Sequence, residues 1–254
     1  MLHFFEKGQG PALLFLHGFC ESGEMWRHFA DSLSTQYRVL CPDLPGFGNS
    51  PLTSSITSLE EVAQQLEEWM DALQIQNPIV MGHSLGGYVA LALLERMGTR
   101  IQAIGLLHST GYADDLEKKE MRNRTLTFLK KHGADKFATS FVPQLFPEHR
   151  RIELADAMAC AIEDGKRSSL EGLLAYTIAM RDRVDRLEVL QQFAGPKLLL
   201  AGTVDGSVKI ESSRAQQTAF THYIELEGVG HLGMVEEKEK TLEIVQNFVR
   251  EVLK

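Results

Sequence analysis

Cysteine is scarce in this chain. Cys20, Cys41 and Cys160 are its only thiols in 254 residues. An odd number without a shared spacing fits reduced thiols in a core better than a disulfide framework, and no pair has metal-ligand spacing. Long apolar runs are missing as well. Nowhere do about 18 apolar residues follow one another, so no segment reads as a membrane-spanning helix. The opening residues, Met1-Leu2-His3-Phe4-Phe5-Glu6-Lys7, lack the apolar region of a secretion signal. Positive charge is in deficit, with 26 Lys and Arg against 34 Asp and Glu and a net charge of -8. That balance argues against nucleic acid or an anionic membrane as the main partner. The pair Gly46 and Gly48 lacks the third glycine and the following helix of a dinucleotide site. There is no internal repeat and no low-complexity segment. A cytoplasmic protein is the expectation.

What is present is enough to fold. With 44% hydrophobic and 24% charged residues, the chain can build one large core or a domain carrying an insertion. Leu2 to Glu6 reads as a short edge strand. Ala12-Leu13-Leu14-Phe15-Leu16 is uninterrupted apolar sequence, as expected of a strand covered on both faces. Ser22 to Leu33 reads as a helix, and Arg38 to Pro42 as the next strand. Ser58, with Glu61 after it at capping-box spacing, opens a helix that buries Val62, Leu66, Trp69, Met70 and Leu73. Another apolar strand follows at Ile101 to Leu107. From Tyr112 to Arg183 only helical periodicity appears, with expected stripes at Ile152, Ala155, Met158, Ala159 and Ile162 and at Leu170, Leu173, Leu174, Thr177 and Ile178. Alternation resumes with strands at Lys197 to Gly202 and His222 to Leu226, and a helix from Met234 to Leu253. Alternating units predict an α/β fold with a doubly wound, mostly parallel sheet of about seven or eight strands. The core domain is 1–111 and 184–254, with a helical cap, 112–183, inserted over it.

One stretch stands out. Val80-Met81-Gly82-His83-Ser84-Leu85-Gly86-Gly87 lies between an apolar run and a helix-like run. That is a strand, an abrupt turn and a helix, with a serine at the apex. Such a serine must adopt a sparsely populated backbone conformation, and Gly82 and Gly86 relieve the resulting crowding. The helix starting after it aims free N–H groups at whatever the serine attacks. A serine hydroxyl is a poor nucleophile near neutral pH and needs a base in hydrogen-bond reach. Of the nine histidines, His231 lies in a glycine-rich loop after the last strand, at the sheet edge where Ser84 falls. Asp205, in the loop after the preceding strand, is placed to orient it.

These segments together resemble the α/β-hydrolase fold superfamily, in its cap-bearing branch of small-molecule serine hydrolases. The resemblance rests on His17-Gly18-Phe19, Asp43 to Ser50, Gly82 to Gly87, Gly202-x-x-Asp205 and Gly230-His231, with the chain order Ser, Asp, His. It implies that Ser84 attacks a carbonyl carbon, His231 shuttles the proton, and Asp205 holds the imidazole. It also implies an oxyanion hole from the backbone N–H groups of Phe19 and Leu85. No cofactor and no metal are called for. His17 is expected to bond structurally beneath the site and Asp43 to brace its loop. His83 should point away from the nucleophile, as packing or pocket lining, and His108 is a candidate pocket residue.

Within such a superfamily, halide displacement and epoxide opening use an aspartate at the elbow; serine suits acyl transfer. The leading expectation is a carboxylic-ester hydrolase acting on a small-molecule acyl substrate through an acyl-enzyme. The alternatives are a thioesterase, a carbon–carbon bond hydrolase or a cofactor-free perhydrolase on the same triad, and, from a different class, a ligand sensor. Met121, Phe128, Phe141, Met158, Tyr176 and Met180 are apolar candidates for the acyl pocket or for the core of the cap. No nucleic acid and no membrane are expected as partners, and a homo-oligomer is left open.

Overall fold

A computed structural model describes residues 2–52 and 58–254. In chain order it places β1 (Phe4–Lys7), β2 (Ala12–Leu16), α1 (Arg27–Leu33), β3 (Arg38–Pro42), α2 (Leu59–Ala72), β4 (Ile79–His83), α3 (Leu85–Met97) and β5 (Ala103–Leu107). Four helices follow without a strand: α4 (Leu116–Phe141), α5 (Ala155–Gly165), α6 (Leu170–Asp182) and α7 (Leu187–Gln192). The chain closes with β6 (Lys197–Gly202), α8 (Ile210–Gln216), β7 (His222–Leu226), α9 (Gly233–Glu236) and α10 (Lys238–Val252).

Among the described residues, seven strands form one sheet in the order β1-β3-β2-β4-β5-β6-β7. β1 runs antiparallel to β3, and every other pairing is parallel. Helices flank both faces of such a sheet, so its inner strands have no polar side to show. Every residue of β2, β4, β5 and β6 is buried. The edge strands β1 and β7 are partly exposed and short, which limits pairing with other chains. The parallel register brings the carboxyl ends of β4, β6 and β7 to one rim, where the loops carrying Ser84, Asp205 and His231 emerge.

Side-chain caps open α2, α4 and α6. The Ser58 hydroxyl accepts from the Glu61 N–H at 3.3 Å, and α2 buries Val62, Leu66, Trp69 and Met70 as its spacing predicts. The expected helix over Ser22 to Leu33 instead begins as a 3₁₀ turn at Gly23–Trp26, capped by Ser22, before α1. The expected final helix is broken at Glu237, whose φ of -130° and ψ of 57° separate α9 from α10.

The region between β5 and α7 is helical, with 3₁₀ turns around Pro143 and Pro147. One expectation there fails. Ile152 is 93% exposed because α5 begins only at Ala155, and Ala155 and Ala159 face solvent. Met158 and Ile162 of the expected stripe do face inward, joined there by Ala161. In α6 the buried face is rotated toward Leu173, Tyr176, Thr177 and Met180, leaving Ile178 at 36% exposure. These helices meet the sheet domain through aromatic rings. Phe19 packs edge-on against Phe47, Phe137 and Phe141, and Tyr176 against Phe47 at 4.9 Å.

Candidate active site

Ser84 caps α3 from the end of β4 with φ 48° and ψ -113°, a conformation rare for a residue with a side chain. Its amide donates to the Leu107 carbonyl at 3.0 Å, and Ser109 Oγ donates to the Ser84 carbonyl at 2.7 Å. A Cβ at Gly82 would lie 2.3 Å from the Gly86 carbonyl oxygen, and one at Gly86 2.3 Å from the Leu16 oxygen. The elbow is therefore closed on itself and on the end of β2. The serine stays partly accessible.

Across the rim, His231 Nε2 lies 2.9 Å from Ser84 Oγ, and His231 Nδ1 lies 2.8 Å from Asp205 Oδ2. A carboxylate can only accept, so Nδ1 carries the proton and Nε2 is left bare to accept from the serine hydroxyl. Asp205 Oδ1 accepts from the amides of Ser207 and Val208 at 2.7 and 2.9 Å. Burial opposes a charge on Asp205, yet His231 and His108 beside it hold its carboxyl far below the usual carboxylate range. Residues 205 and 231, named from sequence alone as partners of Ser84, thus meet it in one hydrogen-bonded row.

The loop carrying His231 is pinned from two sides. Glu236 Oε2 accepts from the Gly230 N–H at 2.8 Å, and its Oε1 from Leu232 N–H at 3.0 Å. The His231 amide donates to the Leu145 carbonyl at 3.0 Å, and Pro147 lies against Gly230. Glu236 was not foreseen; a carboxylate in a short helix after the loop carries no signal of its own.

Leu85 is the first residue of α3, so its amide has no acceptor within the helix. Phe19 follows Gly18 in the turn after β2, where the Gly18 amide donates to Glu21 Oε2 at 2.6 Å. His17 sits beneath this turn, fully buried. Its Nε2 accepts from the Leu44 amide at 2.8 Å, so Nδ1 donates to the Gly18 carbonyl at 2.8 Å. Burial lowers its pKa, in keeping with that neutral form. Asp43 braces its loop through the Gly23 and Asn49 amides, both at 2.8 Å, and His3 Nδ1.

His83 points away from the serine but does not line a pocket. It is wholly buried, with Nδ1 2.9 Å from Glu21 Oε2 and Nε2 donating to the His231 carbonyl at 2.9 Å. Burial works against charge on both partners, and their mutual attraction outweighs it: the Glu21 pKa falls and the His83 pKa rises. Glu21 was also missed, since nothing in the linear sequence links positions 21 and 83. His108 is fully buried too, so it lines no open pocket.

Of the apolar pocket candidates, Tyr176 and Met180 are buried, Phe128, Phe141 and Met158 are partly buried, and Met121 is 44% exposed. Phe128 borders a surface groove of about 350 Å³ with Arg124 and Lys131. Arg122 is engaged with Asp114 at 3.1 Å. His108, Asp205 and His231 place possible metal-ligating atoms within 4.8 Å of one another. Asp205 Oδ2 and His231 Nδ1 are already bonded to each other, however, and a metal there would have to break the row. Among the described residues no helix is long and apolar enough to cross a membrane.

A parallel sheet with flanking helices, a strained serine between strand and helix, and an acid and imidazole from later loops define the α/β hydrolases. The profile of the alpha/beta hydrolase fold family matches residues 11–238, and the chain belongs to that family. It is 28% identical over 251 residues to a pimeloyl-[acyl-carrier protein] methyl ester esterase of Aeromonas salmonicida, covering 95% of this chain and 96% of that one. Its fold superposes on an esterase of Thermogutta terrifontis with a TM-score of 0.92 at 26% identity, over 99% of this chain and 93% of that one. An enol-lactonase of Burkholderia xenovorans shares the fold, with a TM-score of 0.89 at 22% identity over 98% of this chain and 96% of that one.

Proposed function

We propose that the protein is a serine hydrolase that cleaves a small carboxylic ester through an acyl-enzyme. The observation that carries this reading is the unbroken row Ser84 Oγ, His231 Nε2, His231 Nδ1, Asp205 Oδ2, with steps of 2.9 and 2.8 Å around the imidazole. Ester cleavage is also what the names of the Aeromonas and Thermogutta relatives describe.

Ser84 Oγ attacks the ester carbonyl carbon while its proton passes to His231 Nε2. The carbonyl oxygen gains the negative charge and is held by the amides of Leu85 and Phe19; losing one such donor typically costs about 10²–10³ in rate. The intermediate collapses, and the alcohol leaves with the proton from His231. Water then attacks the acyl carbon, gives a proton to His231, and the acid is released as Ser84 Oγ regains it. Asp205 holds the Nδ1 proton in place and stabilises the imidazolium that forms twice per cycle. Residues 112–183 act as the cap over this site, with Phe137 and Phe141 against Phe19 and Tyr176 against Phe47. The substrate is a small acyl ester, and a cytoplasmic setting fits three free thiols, two of them buried.

The test is hydrolysis of p-nitrophenyl acyl esters of graded length, with acyl-thioesters and a 1,3-diketone in parallel. Wild type should turn over short esters fastest, and Ser84→Ala should lose about 10⁴-fold or more of kcat with an unchanged melting curve. Faster cleavage of thioester or diketone would reassign the reaction. Full activity in Ser84→Ala would remove the serine from it.

A further inference from the structure

Resting on the reading above, one buried side chain remains without a task. His108 follows directly on β5 with no exposed side-chain surface, and neither ring nitrogen has a hydrogen-bond partner. Buried polar atoms left without partners are rare and costly. Two further features of the fold accommodate this one ring. The backbone of His108 takes φ 51°, in the left-handed region where a bulky side chain is strained. Position 233 is glycine, and a Cβ there would lie 2.4 Å from His108 Nε2.

Its nearest acceptor is the orienting carboxylate. His108 Nδ1 lies 3.4 Å from Asp205 Oδ2, the oxygen that His231 Nδ1 also addresses at 2.8 Å. We infer that His108 is a second positioning partner of Asp205, donating its Nδ1 proton to Oδ2 so that the carboxylate is bracketed by two imidazoles. Oδ1 already accepts two amides, those of Ser207 and Val208. With His108 added, each carboxylate oxygen takes two donors, which is the capacity of its lone pairs.

The proton arrangement follows. A nitrogen facing a carboxylate must donate, and complete burial favours the uncharged ring, whose pKa is lowered chiefly by that burial. His108 is thus neutral with its proton on Nδ1, and Nε2 rests bare against Gly233. The ionisable groups facing the ring are Asp205 after β6, His231 in the loop after β7 and His83 at the end of β4, each of the two imidazoles 6.1 Å from it. A carboxylate whose charge is shared between two donors grips the His231 proton less tightly. Without His108, more of the Asp205 charge would fall on the His231 ring.

Two substitutions separate this role from mere packing. His108→Phe keeps the ring's bulk and removes the donor. His108→Asn restores a donor on the atom bonded to Cγ, and asparagine tolerates positive φ. In p-nitrophenyl acetate hydrolysis, His108→Phe should move the acid limb of kcat/KM upward by about half a pH unit, lowering kcat severalfold while KM stays within about twofold. His108→Asn should return the limb to the wild-type position. A His108→Phe limb coincident with wild type, or an Asn variant that follows Phe, would overturn the assignment. Independently of any variant, nitrogen-15 spectra of the wild-type histidines should find the His108 ring neutral with its proton on Nδ1. Protonation on Nε2 instead would refute it. That measurement decides the matter even if no ester is cleaved, so failure of the hydrolase reading and failure of this one are distinguishable.

Discussion

Replacing Gly82 with alanine tests whether the elbow's glycines are there for space. A Cβ built at Gly82 would stand 2.3 Å from the Gly86 oxygen, 2.4 Å from its carbonyl carbon and 2.5 Å from the Gly87 nitrogen. All three are backbone atoms of α3, so no flexible side chain can swing aside. Something must move, and what moves is the start of the helix that presents Ser84. Overpacking of a close-packed site costs about 1–3 kcal/mol, and three backbone contacts put this case at the upper end. For a chain of this length each kcal/mol lowers Tm by about 2–4 °C, so Gly82→Ala should melt roughly 5–10 °C below wild type. Calorimetry reads the melt, and the rate of fluorophosphonate labelling of Ser84 reports whether the hydroxyl is still aimed. Labelling should slow by at least about tenfold, since small misplacements of reacting groups are expensive. Gly206→Ala is the control, because nothing lies within 4 Å of a Cβ there. A Gly82→Ala protein with wild-type melting and labelling would show that the crowding argument is wrong.

Two other outcomes are open to direct measurement. The Glu21–His83 pair should shape stability against pH. Glu21 is held below its ordinary 4.5, so its contribution is complete above that pH and is lost as pH falls through its folded value. His83 is held above its ordinary 6.5, so its contribution is complete below that pH and is lost as pH rises through its folded value. Both act fully between pH 4.5 and 6.5. Urea melts of Glu21→Gln should lose about 3 kcal/mol in that window and less on either side; a loss uniform across pH would contradict the ion pair. The thiols should differ sharply in reactivity. Burial pushes Cys20 up to about 12 and Cys41 well above its usual value, while Cys160 is exposed. Native protein should therefore react rapidly with Ellman's reagent at one thiol and, after denaturation, at all three. Fast release of more than one equivalent would mean the core opens readily.

The sheet and the Ser84 elbow were legible because their physical causes are local. Strands covered on both faces must be rich in apolar residues, and β2, β3 and β6 occupy the spans read from sequence, as does the partly exposed edge strand β7. A strained turn needs glycines at fixed distances, so Ser84 announced itself. Asp205 and His231 could be picked because both lie just after strands that a parallel sheet sends to one rim. What stayed hidden depended on partners far along the chain. Glu21 and His83 are 62 positions apart, and each alone resembles an ordinary polar residue. The stripe through Ile152 failed for a different reason: helical spacing was extended into residues that form a turn before α5. Periodicity states which face is apolar only where a helix exists.

The tether between Leu145 and the amide of His231, with Pro147 lying on Gly230, couples the turn before α5 to the loop that holds the imidazole. Any displacement of residues 145–147 also tugs on the His231 backbone. Substitutions at Leu145 or Pro147 therefore reach the row Ser84, His231, Asp205 through the backbone rather than through a side chain. Changes on the solvent side of α5, around Ala155 and Ala159, leave that linkage alone.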